Sequence, residues 1–170
     1  SISKGESLYR VANRLHQQDM LRWPKVWRLY AQYKEKGTIK VGEYQFSDQE
    51  SPLSILKKLQ SGNVITYSIT LVEGRRFDEW IERLALEPRL KHELSNKTLS
   101  EQMTLLNISV DHPEGWFFPD TYQFIRGDTD ISIMRRAHVK MQQVLEREWN
   151  ARQSKLPYNT PYEALIMASI

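Results

Sequence analysis

One stretch of this chain alternates cleanly. Ile65, Tyr67, Ile69 and Leu71 fall on one side, Thr66, Ser68 and Thr70 on the other. A period of two marks a half-buried strand. Elsewhere the apolar residues mostly recur at three and four positions, which is the helical spacing. A clean strand set among amphipathic helices predicts an α+β protein.

The helix signals are local and specific. Ser7 precedes Leu8, Val11, Ala12 and Leu15, a capped apolar face. Pro24 to Glu35 reads as a second helix whose Val26, Trp27, Tyr30 and Tyr33 share a face, with Gly37 as its stop. Ile39 to Phe46 reads as a strand with a bulge at Gly42. Ser51-Pro52 opens a third helix, with Leu53, Leu56 and Leu59 inward and Gly62 ending it. Beyond the clean strand, Phe77 to Ala85 gathers Trp80, Ile81 and Leu84, and Glu87 to Val110 is polar with short helical pieces. Ile131 to Arg152 is a long helix with Met134, Ala137, Met141, Val144 and Leu145 inward. The expected organisation is a small β-α-α-β subdomain over 1–63, then a larger mixed region over 64–170.

The two ends carry their own signals. Ser1-Ile2-Ser3 starts in an apparent strand without a methionine, and Thr160-Pro161-Tyr162-Glu163 is a capping box with proline at the first helical position. The residues after it, Ala164 to Ile170, are apolar nearly all round and meet no stop signal, as in a buried helix. The expectation is a fragment trimmed at both ends.

Composition narrows the function classes. Lys and Arg number 24 against 21 Asp and Glu, a formal charge of +3 with the signs interspersed, so nucleic acid is not the expected partner. Cysteine is absent, which removes disulfides, thiolate metal sites and a cysteine nucleophile. No segment reaches the ~20 apolar residues of a membrane span. His16, His92, His112 and His138 lack ligand spacing, so no metal is expected. No nucleophile elbow, P-loop or dinucleotide fingerprint occurs, so no cofactor is expected.

Chemistry concentrates in Glu114-Gly115-Trp116-Phe117-Phe118-Pro119-Asp120-Thr121-Tyr122-Gln123-Phe124. Sugar rings present apolar C–H faces and hydroxyl rims, so their sites combine aromatic platforms with carboxylates. Glu114, Trp116, Asp120 and Tyr122 supply both. The competing reading makes Phe117, Phe118 and Phe124 core and Pro119-Asp120 a turn; composition leaves both open. Glu73 follows the clean strand. It could face a cleft there, but locally it is expected to accept hydrogen bonds from the backbone at the next helix start.

Gly5-Glu6-Ser7-Leu8 resembles the opening of a LysM module, a glycan-binding unit. More of the chain resembles the MltG/YceG-like family of endolytic murein transglycosylases. The residues that carry this are Gly5-Glu6-Ser7-Leu8, Val41-Gly42-Glu43-Tyr44, Leu71-Val72-Glu73-Gly74, the Glu114 to Tyr122 block and Met167-Ala168-Ser169-Ile170. The block is long and unusual in composition, hence specific.

The resemblance implies a LysM-like subdomain followed by the N-terminal part of a mixed α/β catalytic domain. It also implies a single N-terminal membrane anchor ahead of Ser1, a location at the periplasmic face of the inner membrane, and peptidoglycan strands and the cell-wall synthesis machinery as partners. The implied reaction cleaves the bond from N-acetylmuramic acid to N-acetylglucosamine, leaving 1,6-anhydro ends. Its general acid is a glutamate expected just beyond Ile170, so no catalytic residue is assigned here. Glu73, Glu114, Trp116, Asp120 and Tyr122 are expected to line or brace the glycan cleft. The alternative is a non-catalytic LysM-like wall-binding protein. An aminodeoxychorismate lyase is rejected, since pyridoxal phosphate needs a Gly-rich phosphate turn that the sequence lacks.

Overall fold

The computed structural model describes residues 2, 6–35, 39–47, 50–110, 112–153 and 156–169, with only the backbone at 34 and 35. The fold is α+β: seven helices and a two-stranded sheet among the described residues. The chain forms two compact units. The first comprises Ser1–Tyr67 with Ile125–Gly127, the second Ser68–Phe124 with Asp128–Ile170.

In the first unit, α1 (Leu8–Gln17) buries Val11, Ala12 and Leu15, and its N-cap Ser7 accepts a hydrogen bond from the Arg10 amide. Glu6 pairs with Arg14 at 2.8 Å. Helix α3 (Pro52–Ser61) starts on the Ser51 cap and stops at Gly62, whose φ of 75° is the left-handed stop. The core joins these to Ile2, Leu21, Trp27 and Ala31.

Three expectations are corrected in this unit. Within α2 (Pro24–Glu35) only Trp27 and Ala31 turn inward, while Val26, Tyr30 and Tyr33 are exposed. The reason is angular: residues 27 and 31 stand about 100° round the helix from 26, 30 and 33. In α3, Leu53 is exposed and Ile55 takes its place beside Leu56 and Leu59. The strand expected over 39–46 reduces to an isolated antiparallel bridge between Ile2 and Gly42. Gly42 there is no bulge. Its φ is +143°, and a Cβ would lie 2.4 Å from Val64 Cγ1. The segment is instead tied down by single backbone hydrogen bonds, with Ile65 N donating to Glu43 O at 2.7 Å and Lys40 N to Leu59 O at 3.0 Å. The Gly37 stop and Gly5 lie outside the described residues.

The two-stranded sheet pairs β1 (Thr66–Thr70) with β2 (Thr121–Ile125), and Ser68–Thr70 and Thr121–Phe124 of these strands belong to the second unit. Leu71 N donates to Asp120 O and the Thr70 and Thr121 hydroxyls meet at 2.8 Å, so the strands run antiparallel. Behind Thr121, Tyr122 and Phe124 turn inward while Gln123 faces out. Helix α4 (Phe77–Ala85) buries Phe77, Trp80, Ile81 and Leu84, and α5 (Leu99–Leu106) begins on a full Thr98/Glu101 capping box. The long α6 (Asp130–Asn150) buries Ile131, Ile133, Met134, Ala137 and Met141. Val144 and Leu145, expected inward, are half-buried and line a groove with Ala164 and Leu165 of α7 (Pro161–Ala168).

At the start of α6 the Asp130 carboxylate is 1% exposed and accepts from the amides of Glu93, Leu94 and Ile131. Helix α7, expected to be buried, has no fully buried residue; Ile166 and Met167 are exposed. Its apolar residues run round the whole cylinder, whereas α6 covers only one side.

Candidate functional site

The Glu114 to Phe124 block folds around a conformation that only its glycine tolerates well. Gly115 has φ +82°, and a Cβ there would approach Leu165 of α7 to 3.2 Å. That close passage sets the residues on either side against α7. Trp116 stacks on Tyr162, with centroids 4.8 Å apart and planes 13° from parallel. The Tyr162 hydroxyl donates to Glu114 O at 3.4 Å.

Beneath the stack lies His138 of α6, its ring centre 6.1 Å from that of Trp116. His138 Nδ1 lies 2.9 Å from Trp116 O. A carbonyl can only accept, so Nδ1 carries the proton and donates. Trp116 and Tyr162 are each half-exposed.

Glu114 is exposed, and its Oε1 accepts from Phe77 N, the first amide of α4, at 3.1 Å. A carboxylate there satisfies a helix N-terminus and its dipole. Its Oε2 has no partner among the described residues. Glu114 therefore offers one anchored and one available oxygen beside an aromatic stack.

The other sequence candidates stand in different roles. Asp120 is ion-paired with Lys140 and accepts from Thr121 N at 2.7 Å, while Lys140 also lies over the Phe118 ring. Tyr122 is 7% exposed and its hydroxyl donates to Phe118 O at 2.6 Å. Burial pushes its pKa up to about 12, against the opposing charge of Arg136. Tyr122 thus holds the block from its buried side, while Asp120, half-exposed, is engaged by Lys140 and the Thr121 amide.

Glu73 sits exposed in the turn after β1, where Gly74 has φ +73°. The local expectation for it is corrected. The start of α4 is served by Glu114 on Phe77 N and by Glu79 on Arg76 N at 2.9 Å, and Glu73 has no hydrogen-bond partner among the described residues.

Tyr162 and His138 escaped the sequence reading. Tyr162 reads in the sequence as the second residue of a capped helix, and His138 only as a histidine without metal-ligand spacing. Only the fold brings them to Trp116. No cluster of three metal-binding side chains occurs among the described residues.

A stacked indole and phenol beside an available carboxylate form a surface suited to a polyhydroxylated ring. That is the class of site the second unit presents. All 170 residues match the family model described as the YceG-like family, and the chain belongs to that family. Along its whole length the chain is 24% identical to a protein of Bacillus subtilis (strain 168) named an endolytic murein transglycosylase. It spans about half, 52%, of that curated relative. A crystal structure of a YceG-like protein from Listeria monocytogenes shares 21% identity; the overlap covers 88% of this chain and 55% of that one at a TM-score of 0.39.

Proposed function

We propose that the chain is the front part of an endolytic peptidoglycan lytic transglycosylase. In this reading residues 1–63 are its LysM-like subdomain and 64–170 the N-terminal part of its catalytic domain. The parent protein is held at the periplasmic face of the inner membrane and works with the cell-wall synthesis machinery.

The reaction protonates the oxygen between N-acetylmuramic acid and N-acetylglucosamine, and the muramoyl 6-hydroxyl attacks in place of water. The nucleophile belongs to the substrate, so one carboxyl group serves first as acid and then as base. The paired carboxylates of a hydrolase are not required. No residue of this chain is assigned that role; the acid is expected beyond residue 170, and the chain alone is expected to be inactive.

The observation that supports the reading is the Trp116–Tyr162 stack beside Glu114. Trp116 would carry the apolar face of a sugar ring, and Glu114 Oε2 would accept a hydroxyl. Asp120 and Tyr122 would brace the block, and Glu73 would support the cleft from the turn after β1.

Titration of this chain with purified glycan strands tests the cleft. Trp116→Ala should weaken binding about tenfold, the scale of one lost sugar–aromatic contact of ~1–1.5 kcal/mol; unchanged affinity counts against the assignment. For the parent protein, mass spectrometry of digested strands should give internal cuts with 1,6-anhydro ends. Hydrolysed reducing ends would refute the reaction.

A further inference from the structure

Helix α2 has two apolar sides, of which the fold uses one. Trp27 and Ala31 enter the core, and Trp27 Nε1 donates to Pro52 O at 2.8 Å. On another side Val26, Leu29, Tyr30 and Tyr33 recur at steps of three, one and three, and all four are exposed, Leu29 by 68% and Tyr33 by 89%. Trp23, 65% exposed, extends the stripe at its N-terminal end. Leu53 of α3 borders the shallow groove beside it. A contiguous stripe of this kind marks a contact surface rather than ordinary solvent-facing scatter.

The charge around the stripe selects the occupant. From Arg22 to Tyr33 the chain carries Arg22, Lys25 and Arg28 and no acid. None of these three forms an ion pair among the described residues; Arg28 lies over the Tyr9 ring at 5.4 Å. A second copy of the same face would bring like charges together. A glycan would find aromatic rings but no carboxylate to accept its hydroxyls. An anionic bilayer surface meets every feature at once. Phosphate headgroups pair with the cations, Trp and Tyr settle at the headgroup level, and Val26 and Leu29 reach the acyl boundary. Twelve residues give a helix of about 18 Å, which suits lying in the interface. No described helix is long and apolar enough to cross a membrane.

We propose that the outward face of α2 is a peripheral docking surface for an anionic lipid bilayer. It is independent of the glycan site and of the transglycosylase reading.

The test is co-sedimentation of the whole chain with vesicles of phosphatidylglycerol and phosphatidylethanolamine, against vesicles of phosphatidylcholine. Partition into the anionic vesicles should be at least about tenfold stronger and should fall with added salt. Leu29→Gln with Tyr33→Ser should lower that partition by about tenfold or more. Arg22→Glu with Lys25→Glu should abolish the preference for phosphatidylglycerol while circular dichroism stays unchanged. All four side chains are exposed, so either pair serves if the other fails to fold. No sedimentation at low salt, or sedimentation indifferent to both pairs, overturns the proposal. So does a dimer in the ultracentrifuge that the Leu29/Tyr33 pair dissolves without any vesicle binding. Glycan strands that bind the chain and lose affinity in that pair, again without vesicle binding, would overturn it too.

Discussion

Replacing Asp130 should destabilise the protein more than any surface carboxylate, and the structure gives the scale. Its Oδ1 accepts from Ile131 N at 2.8 Å and Glu93 N at 3.1 Å, and its Oδ2 from Glu93 N and Leu94 N, both at 3.0 Å. Alanine strands three amides, two of them in the loop that carries Glu93 and Leu94. A hydrogen bond to a charged group contributes about 1.5–3 kcal/mol, and a stranded buried donor costs about 1–3 kcal/mol. The desolvation of the carboxylate offsets part of this, which leaves a loss of about 3–5 kcal/mol for Asp130→Ala. Asparagine keeps one oxygen and turns an NH2 group toward either Leu94 N or Ile131 N, for a loss of about 2 kcal/mol.

Urea titration should therefore move the midpoint without changing the slope, and in heating Asp130→Ala should melt roughly 6–20 °C lower. Amide exchange supplies a local signature, because protection at Leu94 should collapse in Asp130→Ala, and in Asp130→Asn it should collapse at whichever of Leu94 and Ile131 faces the new NH2 group. An Asp130→Asn protein within about 0.5 kcal/mol of the parent, with Leu94 and Ile131 both still protected, would refute the reasoning.

Three further outcomes follow from the geometry. Gly42→Ala must place a methyl 2.4 Å from Val64 Cγ1 at φ +143°, and should cost about 2–5 kcal/mol in urea unfolding; Gly42→Ala with Val64→Ala should recover part of that loss. Tyr122 has a folded pKa raised to about 12 against about 10 unfolded, so its contribution is complete below pH 10 and is lost as pH rises toward 12. The span is at most about 3 kcal/mol, and Tyr122→Phe should flatten the alkaline limb of stability against pH. Glu43 is held below the usual carboxylate range by the Tyr67 hydroxyl first and Arg126 second. Its contribution is present above its ordinary unfolded pKa and is lost as pH falls through the lower folded one, so Glu43→Gln should flatten the acid limb.

The helices were legible in the sequence where a cap and an apolar period agreed. Ser7, Ser51-Pro52 and Thr160-Pro161 each mark a start that the structure keeps. What the sequence withheld was choice among several apolar residues on one helix. Val26 and Trp27 are both apolar, and only the partner surface decides that the indole enters the core. Strand β2 was hidden in the aromatic block, although Thr121 to Phe124 alternate, because the density of rings suggested a site rather than a period. In α5 the Thr98/Glu101 box was present in the sequence but lay in a polar stretch with little apolar contrast. The site divides similarly. Glu114 and Trp116 were visible by type, whereas Tyr162, 48 residues from Glu114, is brought in by tertiary packing. Such long-range pairings leave no local pattern.

The first unit closes on a borrowed piece. Both oxygens of Glu43 are taken, one by the Tyr67 hydroxyl at 2.7 Å and the other by Arg126 Nε at 2.8 Å, and Arg126 belongs to a three-residue return of the chain from far downstream. Its modularity is therefore topological as well as compact. A gene fragment stopping at Tyr67 would encode all three helices of this unit and still omit the cation that completes its polar clasp. Swapping or grafting the unit would have to carry Ile125–Gly127 along, or supply another positive charge for Glu43.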